Sequence, residues 1–269
     1  MPYEFGTHTG TNNFIERLKI FAEANGWTVN FFGLYSGNNR LHLSKSGQYV
    51  AIWYATTSSA NFRGHTSYAA GSNPDAQPGV SPAGLHSYIQ GLTSGYSYAF
   101  FAFGDSLYYY LENPANPTRN IGGFGSLTNK IGAWSGGNFI WCNSGGYQMF
   151  TTAGSQACTI YINGAWTPMG TDFIASGLLG SVSDIDYALQ GKMPNAYNAQ
   201  IVMLPIVLMQ RNSVTASLLH PLGFVSDVCR FNAGNVYVDK EIITRGGDNW
   251  MAIRRSGLTD PPTLLFRVA

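Results

Sequence analysis

The stretch "YSYAFFAFGDSLYYYLEN", residues 96–113, decides the fold of this chain. It places two runs of aromatic and apolar residues on either side of the dipeptide Gly104-Asp105. Aromatic side chains favour β-strands, and a glycine-containing pair between two such runs is typical of a two-residue hairpin turn. The stretch therefore predicts two antiparallel strands joined at Gly104-Asp105, and it is the strongest hairpin signal in the sequence.

Further strand and turn signals lie on both sides of this hairpin. Residues 27–57 predict strands joined near residues 36–39, with a further turn at Ser46-Gly47. "CTIYINGAWTPM" predicts a hairpin whose turn is Asn163-Gly164. The most apolar segment, "AQIVMLPIVLMQR", is too short to span a bilayer, and Pro205 interrupts it. We interpret that segment as a buried strand with a bend.

One helix is predicted near the amino terminus, in "NNFIERLKIFAEAN", residues 12–25. Asn12 or Asn13 can cap its start, and Asn25-Gly26 supplies a left-handed stop. Four apolar residues repeat at the spacing of one helical face. They are Phe14, Leu18, Phe21 and Ala22.

The predicted fold class is mainly β, with antiparallel sheets in a sandwich or barrel-like arrangement, one short N-terminal helix and long loops rich in Gly, Ser and Pro. Residues 58–85 have that loop composition and few apolar anchors, so we expect a long surface loop that is functional or seated on a neighbour. "GGFG", residues 122–125, is interpreted as a cluster of turns. Residues 1–269 are expected to form a single β-rich domain, with sub-domains 1–175 and 176–269 as the alternative division.

The composition limits the classes of partner. Only 11% of the residues are charged, the net charge is +1, and the Lys and Arg residues are scattered. No basic stripe is present to neutralise phosphates, so nucleic-acid binding is not expected. The sequence shows no apolar run long enough to insert into a membrane and no secretory leader pattern. A weakly charged surface favours large, lasting contacts with partner subunits.

Catalytic and metal-binding patterns are not evident in the sequence. The three cysteines, Cys142, Cys158 and Cys229, form no close ligand pair, and we interpret them as small buried side chains. The five histidines are dispersed, and no nucleophile elbow or phosphate-binding loop occurs. Asp184 and Asp186 are two residues apart and could bind Ca²⁺ or act as a glycosidase pair. Two carboxylates do not fill a Ca²⁺ site, and a solvated turn is the better interpretation. We therefore predict no enzyme activity, no cofactor and no metal.

Aromatic residues are the remaining candidates for a functional surface. Stacked Trp and Tyr side chains beside polar neighbours either bind sugars or fill cores and subunit interfaces. Because no acidic pair accompanies them, the core or interface interpretation is favoured over the carbohydrate interpretation. The four candidate interface or binding aromatics are Trp134, Trp141, Tyr108 and Tyr110.

Several stretches together resemble a family of structural proteins from tailed-bacteriophage virions. The first is the helix that ends in "NGWTV" and leads into a strand hairpin. The second is the aromatic hairpin followed by Gly123-Phe124-Gly125 and by "GAWSGG", residues 132–137. The third runs from "LPIVLMQR" through "HPLGFVSDVCRF" to "DNWMAIRRS". The resemblance covers most of the chain, and it transfers no catalytic residue.

The resemblance implies a late-expressed structural component of the virion, located in the neck or collar, or in the tail or baseplate. Its expected partners are other virion proteins and copies of itself. The chain would be made in the host cytoplasm and assembled into the particle. The alternative is a host-recognition module, a tail fibre or spike domain that binds surface glycans through exposed Trp and Tyr side chains.

Overall fold

The computed structural model describes residues 3–82, 87–114, 119–142, 159–168, 173–175, 203–211, 219–231, 238–254 and 263–269. Within these residues the chain is mainly β, with one α-helix and antiparallel strands arranged in a smaller sheet and a larger sheet that curls into a half-barrel. The predicted fold class, mainly β with sandwich or barrel-like antiparallel sheets, is therefore confirmed.

The smaller sheet follows the chain order and lies beside the helix α1, which spans Thr11–Ala24. Its five strands are β2 (Thr28–Tyr35), β3 (Asn38–Lys45), β4 (Gln48–Thr56), β5 (Ser59–His65) and β6 (Ser87–Gln90). The turns at residues 36–37 and 46–47 join the first three strands, as predicted. Both turns have two residues with positive φ, which permits the tight reversal between antiparallel strands.

The larger sheet has 13 strands in the described residues and draws them from both halves of the chain. Its main path runs β1-β7-β8-β9-β15-β18-β17-β16, and β10 to β14 attach beside β9 and β15. The first group of strands is β1 (Tyr3–Thr7), β7 (Ser97–Phe103), β8 (Ser106–Glu112), β9 (Arg119–Thr128), β10 (Gly136–Cys142), β11 (Thr159–Ile162) and β12 (Ala165–Pro168). The second group is β13 (Phe173–Ala175), β14 (Leu204–Arg211), β15 (Leu219–Phe231), β16 (Ile242–Arg245), β17 (Asp248–Arg254) and β18 (Thr263–Arg267).

The aromatic hairpin β7–β8 lies inside the larger sheet and buries both of its faces. Along each strand, alternate side chains enter two different hydrophobic cores. Phe101 and Tyr108 join the core shared with the C-terminal strands, whereas Phe100 and Tyr109 join the core shared with α1 and the smaller sheet. The near-continuous apolar run of residues 98–103 follows from this position, because a strand covered on both faces has no solvent side.

The start of α1 differs from the predicted cap. Gly10 is the N-cap residue, with φ of 132°, rather than Asn12 or Asn13. The Asn12 side-chain oxygen accepts a hydrogen bond from the Asn39 amide at 2.9 Å, and that of Asn13 accepts one from the Thr9 amide at 3.1 Å. The two asparagines therefore bind the start of β3 and the segment before the helix, and neither is the N-cap residue.

The end of α1 agrees with the prediction. Gly26 adopts φ of 78°, and the Trp27 amide donates to the Ala22 carbonyl at 3.0 Å, which closes the last turn of the helix. The predicted apolar face is buried against both sheets. Its buried residues are Thr11, Phe14, Ile15, Leu18, Phe21 and Ala22.

The interpretation of "GGFG" as turns is wrong, because residues 122–125 lie in the middle of strand β9. A Cβ atom on Gly123 would lie 2.5 Å from Cδ1 of Tyr108, and one on Gly122 would lie 2.3 Å from the hydroxyl of Tyr109. The tyrosines of β8 therefore occupy the space that side chains of β9 would need. Glycine in this strand marks a close approach between neighbours, not a reversal of the chain.

The prediction of one long loop over residues 58–85 is also wrong in its first part. Ser59–His65 forms strand β5, which pairs with β4 and β6. Ala60 and Phe62 point into the core and are fully buried. Two apolar residues among Gly, Ser and Asn are too few to form a recognisable strand pattern in the sequence. Residues 66–82 do form a loop, with a 3₁₀ turn at Pro74–Ala76.

The single-domain prediction and the alternative division at residue 175 stay predictions. Strands from both sides of residue 175 belong to one hydrogen-bonded sheet, because β15 pairs with β9 through Phe224 opposite Thr128 and Val225 opposite Leu127. The core shared by β8, β10 and the C-terminal strands also contains residues from both sides.

Candidate functional site

Three of the four candidate aromatics lie in the core. Tyr108, Tyr110 and Trp141 are at most 1% exposed and belong to the cluster between the larger sheet's central strands and its C-terminal strands. They are buried because β8 and β10 lie within the sheet rather than at its edge. Their rings are enclosed by other residues of the chain, so in the described structure they line a core and not an exposed surface.

The hydroxyl group of Tyr108 is a polar group in this buried core, and it has a hydrogen-bond partner. Its hydroxyl donates a hydrogen bond of 2.6 Å to the carbonyl oxygen of Ser226 in β15. Burial raises the pKa of Tyr108 well above its ordinary value, so the phenol stays neutral. Trp141 contacts the Tyr108 ring edge to face, with ring centres 6.2 Å apart. The pair connects β8 and β10 to the C-terminal strands.

Trp134 is the one candidate aromatic that reaches the surface. It lies in residues 129–135, here named the Trp134 loop, which connects β9 to β10. Its indole N–H donates to the Ile131 carbonyl at 2.9 Å, and the Lys130 ammonium lies 5.2 Å from the ring centre. The ring is half-buried against the core, whereas Ile131 is 43% exposed. One face of the Trp134 ring and its N–H group therefore already have partners within the chain.

Neighbouring elements hold the Trp134 loop in place. The Ser135 amide donates to the Asn163 side chain at 3.2 Å, and the Asn163 amide donates back to the Ser135 carbonyl at 2.9 Å. The Ile131 amide donates to the Leu222 carbonyl at 2.8 Å. Asn163 itself sits in the predicted two-residue turn, with φ of 49°. The loop is therefore anchored to the β11–β12 hairpin and to β15.

A polar cluster covers the face of the smaller sheet that points away from α1. It contains Arg40, His42, Arg63 and His65, all at most 6% exposed. The rings of His42 and His65 have centres 5.5 Å apart, and Arg63 pairs with Asp75 of the loop at 2.8 Å. Burial, with the nearby charges of His65 and Arg40, lowers the pKa of His42 to about 3. Burial also lowers the pKa of His65.

The loop of residues 66–82 lies over this cluster, and hydrogen bonds between its own residues hold its conformation. The buried Gln77 side chain accepts from the Ala69 amide at 2.8 Å and donates to the Ser72 carbonyl at 3.0 Å. The indole N–H of Trp166 donates to the Gly79 carbonyl at 2.9 Å. The cluster is therefore a structural polar layer between a sheet and a tightly bonded loop.

A polar cleft of about 550 Å³ opens where α1 begins. Its walls include Asn13, Glu16, Asn38 and Tyr54. The amides around it are engaged with each other, since the Asn12 amide group donates to the Asn38 side chain at 3.3 Å. Among the described residues that line the cleft, Glu16 alone is charged, and its carboxylate does not suit an anionic ligand.

Candidate metal ligands are dispersed in the described residues. In that part of the chain, no three His, Cys, Asp or Glu side chains come together in a way that could hold a metal ion. Asp184 and Asp186 lie outside the described residues, as does Cys158, whereas Cys142 is buried as predicted. No helix in the described ranges is both long and apolar enough to cross a membrane.

A surface of exposed apolar side chains lies on β2. Leu34 is 69% exposed and Phe32 is 36% exposed. The ammonium of Lys19 in α1 lies 5.9 Å from the ring centre of Phe32, so the helix borders this surface. We name Phe32 and Leu34 the β2 edge patch.

The β2 edge patch borders an open strand. Within the described residues β2 pairs only with β3, and its other side faces no strand. The strand reads "TVNFFGLY" and carries no charged residue. Exposed, uncharged edge strands are sites where further strands add, and soluble proteins usually block them with charge, proline or short length. The sequence showed the strand but not its place at the end of the sheet.

No protein-family model matches this chain, and no curated protein matches it in sequence. Support for a function therefore comes from the surfaces described above and from the sequence resemblance.

Proposed function

We propose that this chain is a structural subunit of a tailed-bacteriophage virion, in the neck or collar or in the tail or baseplate, and that it acts by assembly and not by catalysis. The observation that carries the proposal is the β2 edge patch. Two large apolar side chains on an unblocked edge strand are unfavourable in water, and a lasting partner would remove them from it.

The composition supports the same proposal. Only 11% of the residues are charged, so the surface has little like-charge repulsion to keep copies apart. A subunit that is permanently surrounded by neighbours tolerates such a surface, because contact with those neighbours replaces contact with water. The expected partners are other virion proteins and copies of this chain.

The segments that carry the resemblance support a shared framework. The aromatic hairpin forms β7 and β8, the "GGFG" and "GAWSGG" stretches belong to β9, the Trp134 loop and β10, and the late segment contributes β14 to β17. All of these strands are in the larger sheet. The first matching stretch forms α1, β2 and β3, which lie outside that sheet. A likeness carried by the helix and by strands of both sheets fits proteins that share an architecture rather than a reactive site.

The test uses a phage whose genome encodes this chain. Particles are purified, their proteins are identified by mass spectrometry, and the chain is replaced by a Phe32→Lys and Leu34→Lys double variant. We expect the wild-type chain in intact particles and a large fall in particle yield with the double variant. Val238→Lys is the matched control, because Val238 is 72% exposed and precedes β16 of the larger sheet, whereas β2 is in the smaller sheet. A chain that is missing from purified particles would contradict the proposal.

A host-recognition module that binds surface glycans is the alternative function. Its support is the half-buried Trp134 beside the exposed Ile131, in a loop held by the β11–β12 turn. Geometry favours it less, because Lys130 covers the ring and the indole N–H bonds within the loop. Binding to host envelope glycans that is lost in a folded Trp134→Ala variant would establish the alternative, and no binding by the wild-type chain would exclude it.

A further inference from the structure

The open edge of β2 has a defined hydrogen-bonding pattern. Tyr35 and Asn38 flank the two-residue turn and face each other, which makes them a hydrogen-bonded pair. Hydrogen-bonded and non-hydrogen-bonded pairs alternate along an antiparallel ladder, so the backbone N–H and C=O groups of Phe32 and Leu34 point away from β3. The residues with exposed apolar side chains are thus also the residues with outward-facing backbone groups.

The edge strands β6, β12 and β16 are better protected than β2. Strand β12 has four residues and ends at Pro168, β6 has four residues, and β16 has four residues and ends at Arg245. Strand β2 has eight residues, with neither charge nor proline. Short length, charge and proline all discourage the addition of another strand, and β2 lacks all three.

We propose that a second copy of this chain pairs with β2, antiparallel, across a two-fold axis at Gly33. In that register Phe32 lies opposite Leu34 of the partner subunit, and the reverse contact forms on the other side of the axis. The two outward-facing backbone positions then bond to each other, and the two Gly33 residues form the close, non-hydrogen-bonded pair at the centre. The inference rests on the proposed function as an assembling subunit and names one of its partners.

A second copy also fits the charges and the shape of this edge. Lys19, the charged group over Phe32, is already paired with Glu23 at 2.6 Å, so two copies would not bring uncompensated like charges together. Gly33 at the axis has no side chain to hold the backbones apart. Aromatic–aliphatic pairs directly across an antiparallel ladder are favourable, and this register forms two of them.

The first test measures the mass of the full-length chain over a concentration series by light scattering after gel filtration. We expect a dimer for the wild type. Leu34→Lys should raise the dissociation constant roughly a hundredfold, because each dimer loses two leucine contacts. Val238→Lys is the exposed control and should leave the dissociation constant unchanged. A wild-type chain that is monomeric at every concentration, or a dimer indifferent to Leu34→Lys, would overturn the inference.

The second test probes the register without disturbing the apolar pair. In Gly33→Cys, mild oxidation should link two subunits, since Cα atoms of a non-hydrogen-bonded pair lie about 4.5 Å apart, within the reach of a disulfide. The new Cβ would approach the tip of the Phe31 ring at 2.9 Å, which a small ring movement relieves. Thr28→Cys, on the same strand but far from the axis, should not link.

These tests separate the inference from the proposed function. A monomeric chain that is nevertheless present in purified particles would contradict pairing at β2 and leave the structural role intact. A Gly33→Cys dimer formed by a chain that is absent from particles would support the pairing and contradict the virion role. Failure of Gly33→Cys to link while Thr28→Cys links would contradict the proposed register.

Discussion

Strands β8 and β2 have similar aromatic content and opposite surroundings. Both are aromatic, and both adjoin a two-residue turn that contains glycine with positive φ. In β8, six of seven residues are buried, whereas no residue of β2 is. The difference comes from sheet order, because β8 lies between β7 and β9 and β2 lies at the end of its sheet. Aromatic content predicts a strand, and the position of the strand decides whether those rings stabilise the fold or meet a partner.

The largest expected effect on stability is in the core that β8 shares with β10. Trp141→Ala should lower the free energy of unfolding by about 3–5 kcal/mol, because it removes a fully buried indole and leaves a cavity. Urea denaturation followed by circular dichroism measures the change. Trp134→Ala, at the half-buried site, is the control and should lose clearly less. Equal losses at the two positions would mean that the two tryptophans do not differ in burial as described.

A glycine in the neighbouring strand provides a second test of tight packing around β8. Gly123→Val should lower the free energy of unfolding by about 1–3 kcal/mol, since its Cβ would lie 2.5 Å from Tyr108 and 2.6 Å from the Leu107 carbonyl. Gly95→Ala is the matched control, because its surroundings are open and only its φ of 88° opposes the new side chain. A Gly123→Val variant as stable as wild type would contradict the close approach of β8 and β9.

The polar layer on the smaller sheet should make stability depend on pH. In the folded chain the pKa of His42 is about 3, below the ordinary value of 6.5, so between these values the unfolded chain binds a proton that the folded chain does not. Acidification from pH 6 to pH 4 therefore favours unfolding. His42→Phe should reduce this slope by up to about 1.4 kcal/mol per pH unit.

Urea midpoints measured at several pH values check this expectation, with wild type and variant compared at each pH so that the carboxylates contribute equally to both. His220→Phe is a control, because His220 is exposed. An unchanged slope in His42→Phe would show that His42 is protonated in the folded chain or is not buried.

The smallest expected effect on stability is at β2. Leu34→Ala should change the free energy of unfolding of the isolated subunit by less than about 0.5 kcal/mol, because a mostly exposed side chain contributes little to the fold. Denaturation at high dilution measures this value, and the same experiment at high concentration reveals any contribution from assembly. A loss of several kcal/mol at high dilution would place Leu34 in the core and remove the contrast with β8.

Local turn chemistry was the part of the fold most accessible from the sequence. Asn163-Gly164 and Ser46-Gly47 were predicted as turns, and all four residues adopt positive φ, which few other residues tolerate. The helix was found because its apolar residues repeat at one period. Such features depend on a few consecutive residues and need no knowledge of the rest of the chain.

Features that depend on distant neighbours were not accessible in the same way. Gly122 and Gly123 read as turn residues until the tyrosines of β8 are placed across from them. Ser59–His65 reads as loop because Ala60 and Phe62 are its only buried apolar side chains, and its other buried residues are glycine and polar. The β2 edge patch depends on sheet order, which the local pattern of "TVNFFGLY" does not contain.

Hydrogen–deuterium exchange at single-residue resolution, on the full chain at high and at low concentration, tests the central claim most directly. We predict that the amides of Phe32 and Leu34 exchange slowly at high concentration and rapidly on dilution, while the amides of β8 are protected in both. Rapid exchange of Phe32 and Leu34 at both concentrations would contradict pairing of β2 with a second copy.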